Sequence, residues 1–223
     1  MKVQIVPTIL TQNFAEFKKR LEFLSKYFNY VQIDCEDGKF VGNKTFYSKA
    51  EVRSMSREAA SRYAGKYEVD FELHLMVSNP LEEIRKWVGY KKVKKVIFHY
   101  EAVKNDQGIL EIISYLHKRG IKAGLAINLG TKVEKVTKIL PKLDVLMIMG
   151  VKPGWGGQKI SLKVVKSKVY KARKLFPKLD IEVDGGVNLK NIKQIVKAGA
   201  NILAMGKSLG TPSDIKQAIK LIN

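Results

Sequence analysis

The chain alternates short apolar runs with longer segments of mixed apolar and charged positions, and the two kinds recur in turn along its length. Val31-Gln32-Ile33-Asp34 alternates apolar and polar, the period of a strand whose two sides face different surroundings. Val3–Val6, Val69–Leu73, Lys95–Phe98, Lys122–Ile127, Asp144–Met149, Asp180–Val183 and Asn201–Ala204 read as further strands. Asp144–Met149 is apolar almost throughout, as a parallel strand covered on both faces should be. Helical patterns lie between them: Asn13 as the N-cap of a helix reaching about Tyr27, Ser48–Ala64 closed by Gly65, and a helix opened by Pro80 with Glu82 and Glu83. Asp106–Lys118, Leu162–Phe176, Leu189–Ala198 and a last segment from Pro212 complete the series. Eight strand-then-helix units without a linker or low-complexity segment predict one α/β domain, a closed (β/α)8 barrel over residues 1–223. An open doubly wound sheet would gather its ligand at one topological switch point. Here polar and glycine-rich segments follow strands one, two, three, six, seven and eight, as the C-terminal face of a barrel demands.

Composition narrows the picture. With 45% apolar residues the chain can bury a sizeable core. Its single cysteine, Cys35, excludes an intrachain disulfide and fits a reducing compartment. The apolar stretch before Pro7 is too short for a signal-peptide core, and no run of about 18 uncharged apolar residues offers a membrane span. A cytoplasmic location is expected. The net charge of +20 would suit nucleic acid, an anionic surface or small phosphorylated ligands. The lysines are scattered, however, and the densest run, Lys91-Lys92-Val93-Lys94-Lys95, lacks interleaved aromatics. A solvated basic surface is favoured over nucleic acid.

Two stretches share one design. VQIDCEDG at Val31–Gly38 and IEVDGGV at Ile181–Val187 each place a carboxylate, Asp34 or Asp184, at a strand tip before a glycine turn. Two such carboxylates facing each other across a barrel could remove a proton from one face of a carbon and return one to the other, inverting a stereocentre. Acids after strands also cap helices or solvate loops. His74 at the tip of strand three strengthens the chemical reading, because Asp34, His74 and Asp184 form a plausible divalent-metal set. The glycines of GWGGQ, DGG and MGKS offer unobstructed backbone N–H groups for a phosphate. Cys35 should point away from the pocket, His99 reads as structural and His117 as exposed, and Trp155 either closes over a ligand or packs its loop down.

Pro7–Leu10, Asp34 with Asp37-Gly38 and Phe40-Val41, His74–Val77, Phe98–Ala102, Val151–Lys159 and Ile181–Val187 together resemble the ribulose-phosphate 3-epimerase family, in its order and spacing. The resemblance implies a TIM barrel that interconverts D-ribulose 5-phosphate and D-xylulose 5-phosphate, with Asp34 and Asp184 as acid/base pair and metal ligands and His74 as a third ligand. It assigns phosphate binding to Gly154–Gly157 (with Trp155), Gly185, Gly186, Gly206 and Lys207, and places Met76 and Met149 around the reacting carbons. It further implies a divalent metal (zinc, iron, manganese or cobalt) and a homo-oligomer. The departures cluster in the active centre. Gln32 stands where the family has a histidine ligand, and Glu36 where it usually has methionine. Glu36 could supply the missing ligand, perturb a neighbouring aspartate or recognise a different substrate. Thr8 replaces a serine, Lys39 a histidine, Gly42 a proline and Lys207 a small residue. Another ketose phosphate, such as a hexulose 6-phosphate, and a non-catalytic sugar-phosphate binder are the alternative functions.

Overall fold

The computed structural model describes residues 2–53 and 69–222. Eight parallel strands close into a barrel in chain order: β1 Gln4–Ile9, β2 Tyr30–Glu36, β3 Asp70–Met76, β4 Val93–His99, β5 Lys122–Ile127, β6 Val145–Met149, β7 Asp180–Asp184 and β8 Ile202–Met205. β1 pairs with β8, Gln4 opposite Ile202 through Pro7 opposite Met205, and this closes the ring. Helices α1 Phe14–Leu24, α2 Pro80–Trp87, α3 Asp106–His117, α4 Leu162–Leu175, α5 Ile192–Ala198 and α6 Pro212–Ile222 run between or after the strands. Residues 49–53 are helical, and the remainder of the expected Ser48–Ala64 helix lies outside the described residues. Asn13, Asn79 and Asn105 cap the starts of α1, α2 and α3, each accepting a hydrogen bond from a first-turn backbone N–H, of Glu16, Glu82 and Gly108.

Several expected boundaries move. β1 continues through Thr8, and β3 runs on past His74 to Met76, so His74 lies within its strand. Asp34 likewise sits inside β2, because Thr45 holds the backbone of Glu36 in extended form beyond it. The unit after β5 contains no α-helix: 3-10 turns at Val133–Val136 and Leu140–Lys142 connect it to β6. Val133, Val136 and Ile139 are buried at a spacing of three, which matches three residues per turn, and Pro141 bars an α-helix through this segment.

Strand alternation sorts the side chains into two environments. Val31, Ile33 and Cys35 on β2 and Phe71, Leu73 and Leu75 on β3 join the main apolar core between strands and helices. Tyr30, Gln32, Asp34 and Glu36 share the opposite face of β2, inside the barrel. The interior is layered. Val6, Val145 and Ile202 form one apolar cluster with Tyr30 packed against it, and Ile97, Ala126, Met147 and Met149 form another. A charged group is buried with them: Lys95 Nζ lies 2.5 Å from Glu72 Oε2 and donates to Glu182 Oε2 at 2.9 Å. Lys95 thus departs from the solvated surface expected of its lysine run, being 4% exposed.

One ammonium cannot balance two buried carboxylates. Burial, then the charge of Glu72, holds the Glu182 carboxyl well above its ordinary range, so the folded chain keeps a proton there that the unfolded chain releases above about pH 4.5. Its stabilising effect is complete below that pH and is lost as pH rises, by up to about 1.4 kcal/mol per unit. Glu182→Gln, which imitates the protonated form, is expected to melt progressively higher than the native chain as pH is raised from 5 to 8. Parallel melting curves over that range would contradict this assignment of the proton.

Candidate active site

β2, β3 and β7 converge three polar side chains at one end of the barrel. Asp34 and His74 are direct register partners across β2 and β3, and Asp184 is the last residue of β7. One oxygen from each aspartate and one ring nitrogen of His74 all lie within 4.8 Å of one another. His74 Nδ1 is 3.2 Å from Asp34 Oδ1 and 3.0 Å from Asp184 Oδ2. Gln32 donates from Nε2 to the same two oxygens, at 2.7 and 2.9 Å, while its Oε1 is buried without a partner. The two carboxylates are therefore brought together by donors lodged between them.

The far side of His74 is also fixed. His74 Nε2 lies 3.0 Å from His99 Nε2, the two rings stack with centroids 5.1 Å apart, and His99 Nδ1 is 3.5 Å from Glu101 Oε2. Burial raises Glu101, but contacts from His99, Thr131 and the Asn128 backbone outweigh it and hold its carboxyl at about 2. Burial lowers His99, which stays neutral and can accept from His74 Nε2–H. These contacts orient the His74 ring so that Nδ1 faces the carboxylates. His99, read from the sequence as structural, is fully buried and packs against the back of His74. Burial alone would lower His74; its hydrogen bonds to Asp184 and Asp34 outweigh burial and raise it to about 10. Burial raises Asp34 to about 6, against the pull of its hydrogen bond to His74.

Glu36 joins this cavity from the end of β2. It is buried, both carboxylate oxygens lack a partner, and burial followed by the charge of Asp34 raises it to about 7. It is not one of the three residues whose ligand atoms cluster. Asp37, the third acid of the same stretch, serves the loops: its carboxylate accepts from the backbone of Lys39, Phe40 and Ser78 and from the Ser78 hydroxyl.

The cavity, of about 530 Å³, is also lined by Thr8, Met76, Met149, Gly154–Gly157, Gly185, Gly186, Gly206 and Lys207, with Asp34, Glu36, His74 and Asp184. Every residue expected at the site borders it except Gln32, which reaches the two carboxylates by the hydrogen bonds already described. Trp155 is 64% exposed at the cavity wall, so it does not pack its loop down. The glycines permit close backbone approach. A Cβ on Gly150 would stand 2.2 Å from the Gly185 carbonyl oxygen, and Gly150 N–H donates to the Asp184 carbonyl at 2.5 Å. Gly185 and Gly186 adopt φ of +96° and +74°, which side chains rarely tolerate.

Lys207 and Arg20 are among the cations that border these loops. Lys207 Nζ reaches the Gly156 carbonyl at 3.5 Å. Arg20, on α1, donates to the carbonyls of Leu209 and Gly206 at 3.0 and 2.9 Å and lines the same cavity. Arg20 escaped the sequence reading, since a basic residue on an amphipathic helix looks like solvated surface.

Fold and site together define a TIM barrel with a two-carboxylate, metal-competent centre beside a glycine-lined, cation-bearing cradle. Residues 4–209 match the ribulose-phosphate 3 epimerase family. The chain belongs to that family. Curated relatives include "Ribulose-phosphate 3-epimerase" of Candida glabrata, 34% identical over 100% of this chain and 92% of that protein, and its namesake in Bacillus subtilis, 29% identical over 99% and 98%. Among solved structures, a mutant tryptophan synthase alpha-subunit of Pyrococcus furiosus is similar with a TM-score of 0.70 at 16% identity, covering 100% of this chain and 99% of that one. That likeness concerns the fold alone.

The donor set has a measurable consequence. With its pKa raised to about 10, His74 is protonated at neutral pH in the metal-free cluster, and a cation bound to Nδ1 must displace that proton. Zinc or manganese uptake by chelator-stripped protein is expected to release about one proton per ion at pH 7, with affinity rising up to about tenfold per pH unit. Uptake without proton release would contradict this account of His74.

Proposed function

We propose that this chain interconverts D-ribulose 5-phosphate and D-xylulose 5-phosphate by proton transfer at C3. The observation that carries the reading is the pairing of Asp34 and Asp184, supplied by β2 and β7 and held at one point by His74 and Gln32. One ionised carboxylate takes the C3 proton, and the C–H electron pair moves into the C2 carbonyl to give an enediolate. The other carboxyl, protonated, delivers a proton to the opposite face of C3, and the configuration inverts. Burial keeps Asp34 near 6, close enough to neutrality to serve in either role.

The residues fit a divalent cation. Two carboxylate oxygens and an imidazole nitrogen suit zinc, manganese, iron(II) or cobalt, and the unpartnered Gln32 Oε1 would add a neutral oxygen if the amide turned over. Bound there, such an ion supplies positive charge beside the oxygen that becomes negative when C3 loses its proton. The amides of Gly154–Gly157, Gly185, Gly186 and Gly206 receive the phosphate, with Lys207 as its counter-charge and Arg20 holding the Gly206–Leu209 turn in place. Met76 and Met149 give the reacting carbons an apolar wall. Among the described residues no helix is long and apolar enough to cross a membrane. A cytoplasmic location is proposed from the single cysteine and the absence of a long apolar run in the sequence, and a homo-oligomeric state from the family resemblance.

Asp34→Asn and Asp184→Asn are each expected to lower kcat for D-ribulose 5-phosphate by about 10²–10⁴, measured at saturating metal. Turnover within a few-fold of the native chain in either variant would overturn the two-carboxylate assignment.

A further inference from the structure

We propose that Glu36 recognises the C1 hydroxyl of the sugar and so sets which ketose phosphates the barrel accepts, an inference that rests on the sugar-phosphate reading above. Glu36 closes the inward face of β2 that carries Gln32 and Asp34, lines the cavity, and is only 1% exposed. Neither Oε1 nor Oε2 has a partner. Buried carboxyl oxygens are costly unless a donor reaches them, so this pair calls for one.

The side chain has a rigid base. Glu36 N–H donates to Thr45 Oγ1 at 2.9 Å, Thr45 N–H donates to the Glu36 carbonyl at 3.1 Å, and Thr45 Oγ1 donates to the Asp34 carbonyl at 2.7 Å. Asp34 and Asp184 already have His74 and Gln32 as donors, whereas Glu36 has neither. Arg20 is committed to the carbonyls of Gly206 and Leu209, in the turn after β8.

Geometry selects the hydroxyl. The glycine loops follow β6, β7 and β8, and the strand across the closed ring from β7 is β3, where Met76 stands in register with Glu36. With the phosphate in those loops and C3 between Asp34 and Asp184, C4 lies on the phosphate side and C2 and C1 extend toward β3. The C2 oxygen is a carbonyl and donates nothing, and the C3 hydroxyl belongs to the reacting centre. The C1 hydroxyl is the remaining donor on that side.

Calorimetric titration of the metal-loaded protein with D-xylulose 5-phosphate and with 1-deoxy-D-xylulose 5-phosphate tests this. The native chain is expected to bind the deoxy sugar on the order of 10- to 100-fold more weakly. Glu36→Gln, which keeps an acceptor oxygen, retains most of that ratio, and Glu36→Met reduces it to about one with bound metal unchanged. Equal affinity of the native chain for both sugars overturns the inference, whether or not either variant folds. An unchanged ratio in Glu36→Met, or loss of bound metal in that variant, overturns it as well. Discrimination at C1 without epimerisation would contradict the functional reading and leave this inference standing; epimerisation without discrimination would do the reverse.

Discussion

Two carboxylates forced to within hydrogen-bonding reach of the same imidazole repel each other, and the rest of this site follows from how that repulsion is offset. Asp34 and Asp184 come from strands three apart in the barrel, so no local turn sets their separation. His74 and Gln32 set it, each contacting both carboxylates. His99 and Glu101 continue the chain of contacts behind His74 and fix which nitrogen faces the acids. A side chain that replaced His74 without a donor would leave the Gln32 amide as the one neutral donor the two carboxylates share, with no positive charge between them, which costs more than the lost hydrogen bonds alone.

The barrel repeats this arrangement deeper in its interior. Glu72 and Glu182, from β3 and β7, share Lys95 as His74 and Gln32 are shared above. The same two strands therefore carry an acid or a histidine at one level and a carboxylate at the next, two residues apart. The loops above are positioned by close backbone contact, Gly150 against Gly185, where no side chain fits between β6 and β7. Asp184 precedes that contact directly, so its position is tied to the glycine pair.

Much of this was legible in the sequence, and the reasons are local. Alternation in Val31–Asp34 placed Asp34 on the inward face, and the glycines after Asp184 marked a turn that needs positive φ. What sequence alone missed depended on contacts across the barrel. Lys95 lies in a run that looks solvated, and only Glu72 and Glu182 on neighbouring and distant strands account for its burial. Arg20 reads as helix surface until the turn after β8 folds beneath its guanidinium. The helix expected after β5 gave way to 3-10 turns, because Pro141 and the three-residue spacing of buried groups outweighed the pattern of the other units.

In the proposed reaction C3 loses its proton to one carboxylate and regains one from the other. Conversion of D-ribulose 5-phosphate by the metal-loaded protein in deuterium oxide, followed by proton NMR, tests it directly. D-Xylulose 5-phosphate carrying solvent deuterium at C3 is the expected product. Product that retains its original C3 hydrogen, or a sugar that is neither converted nor labelled, would contradict it.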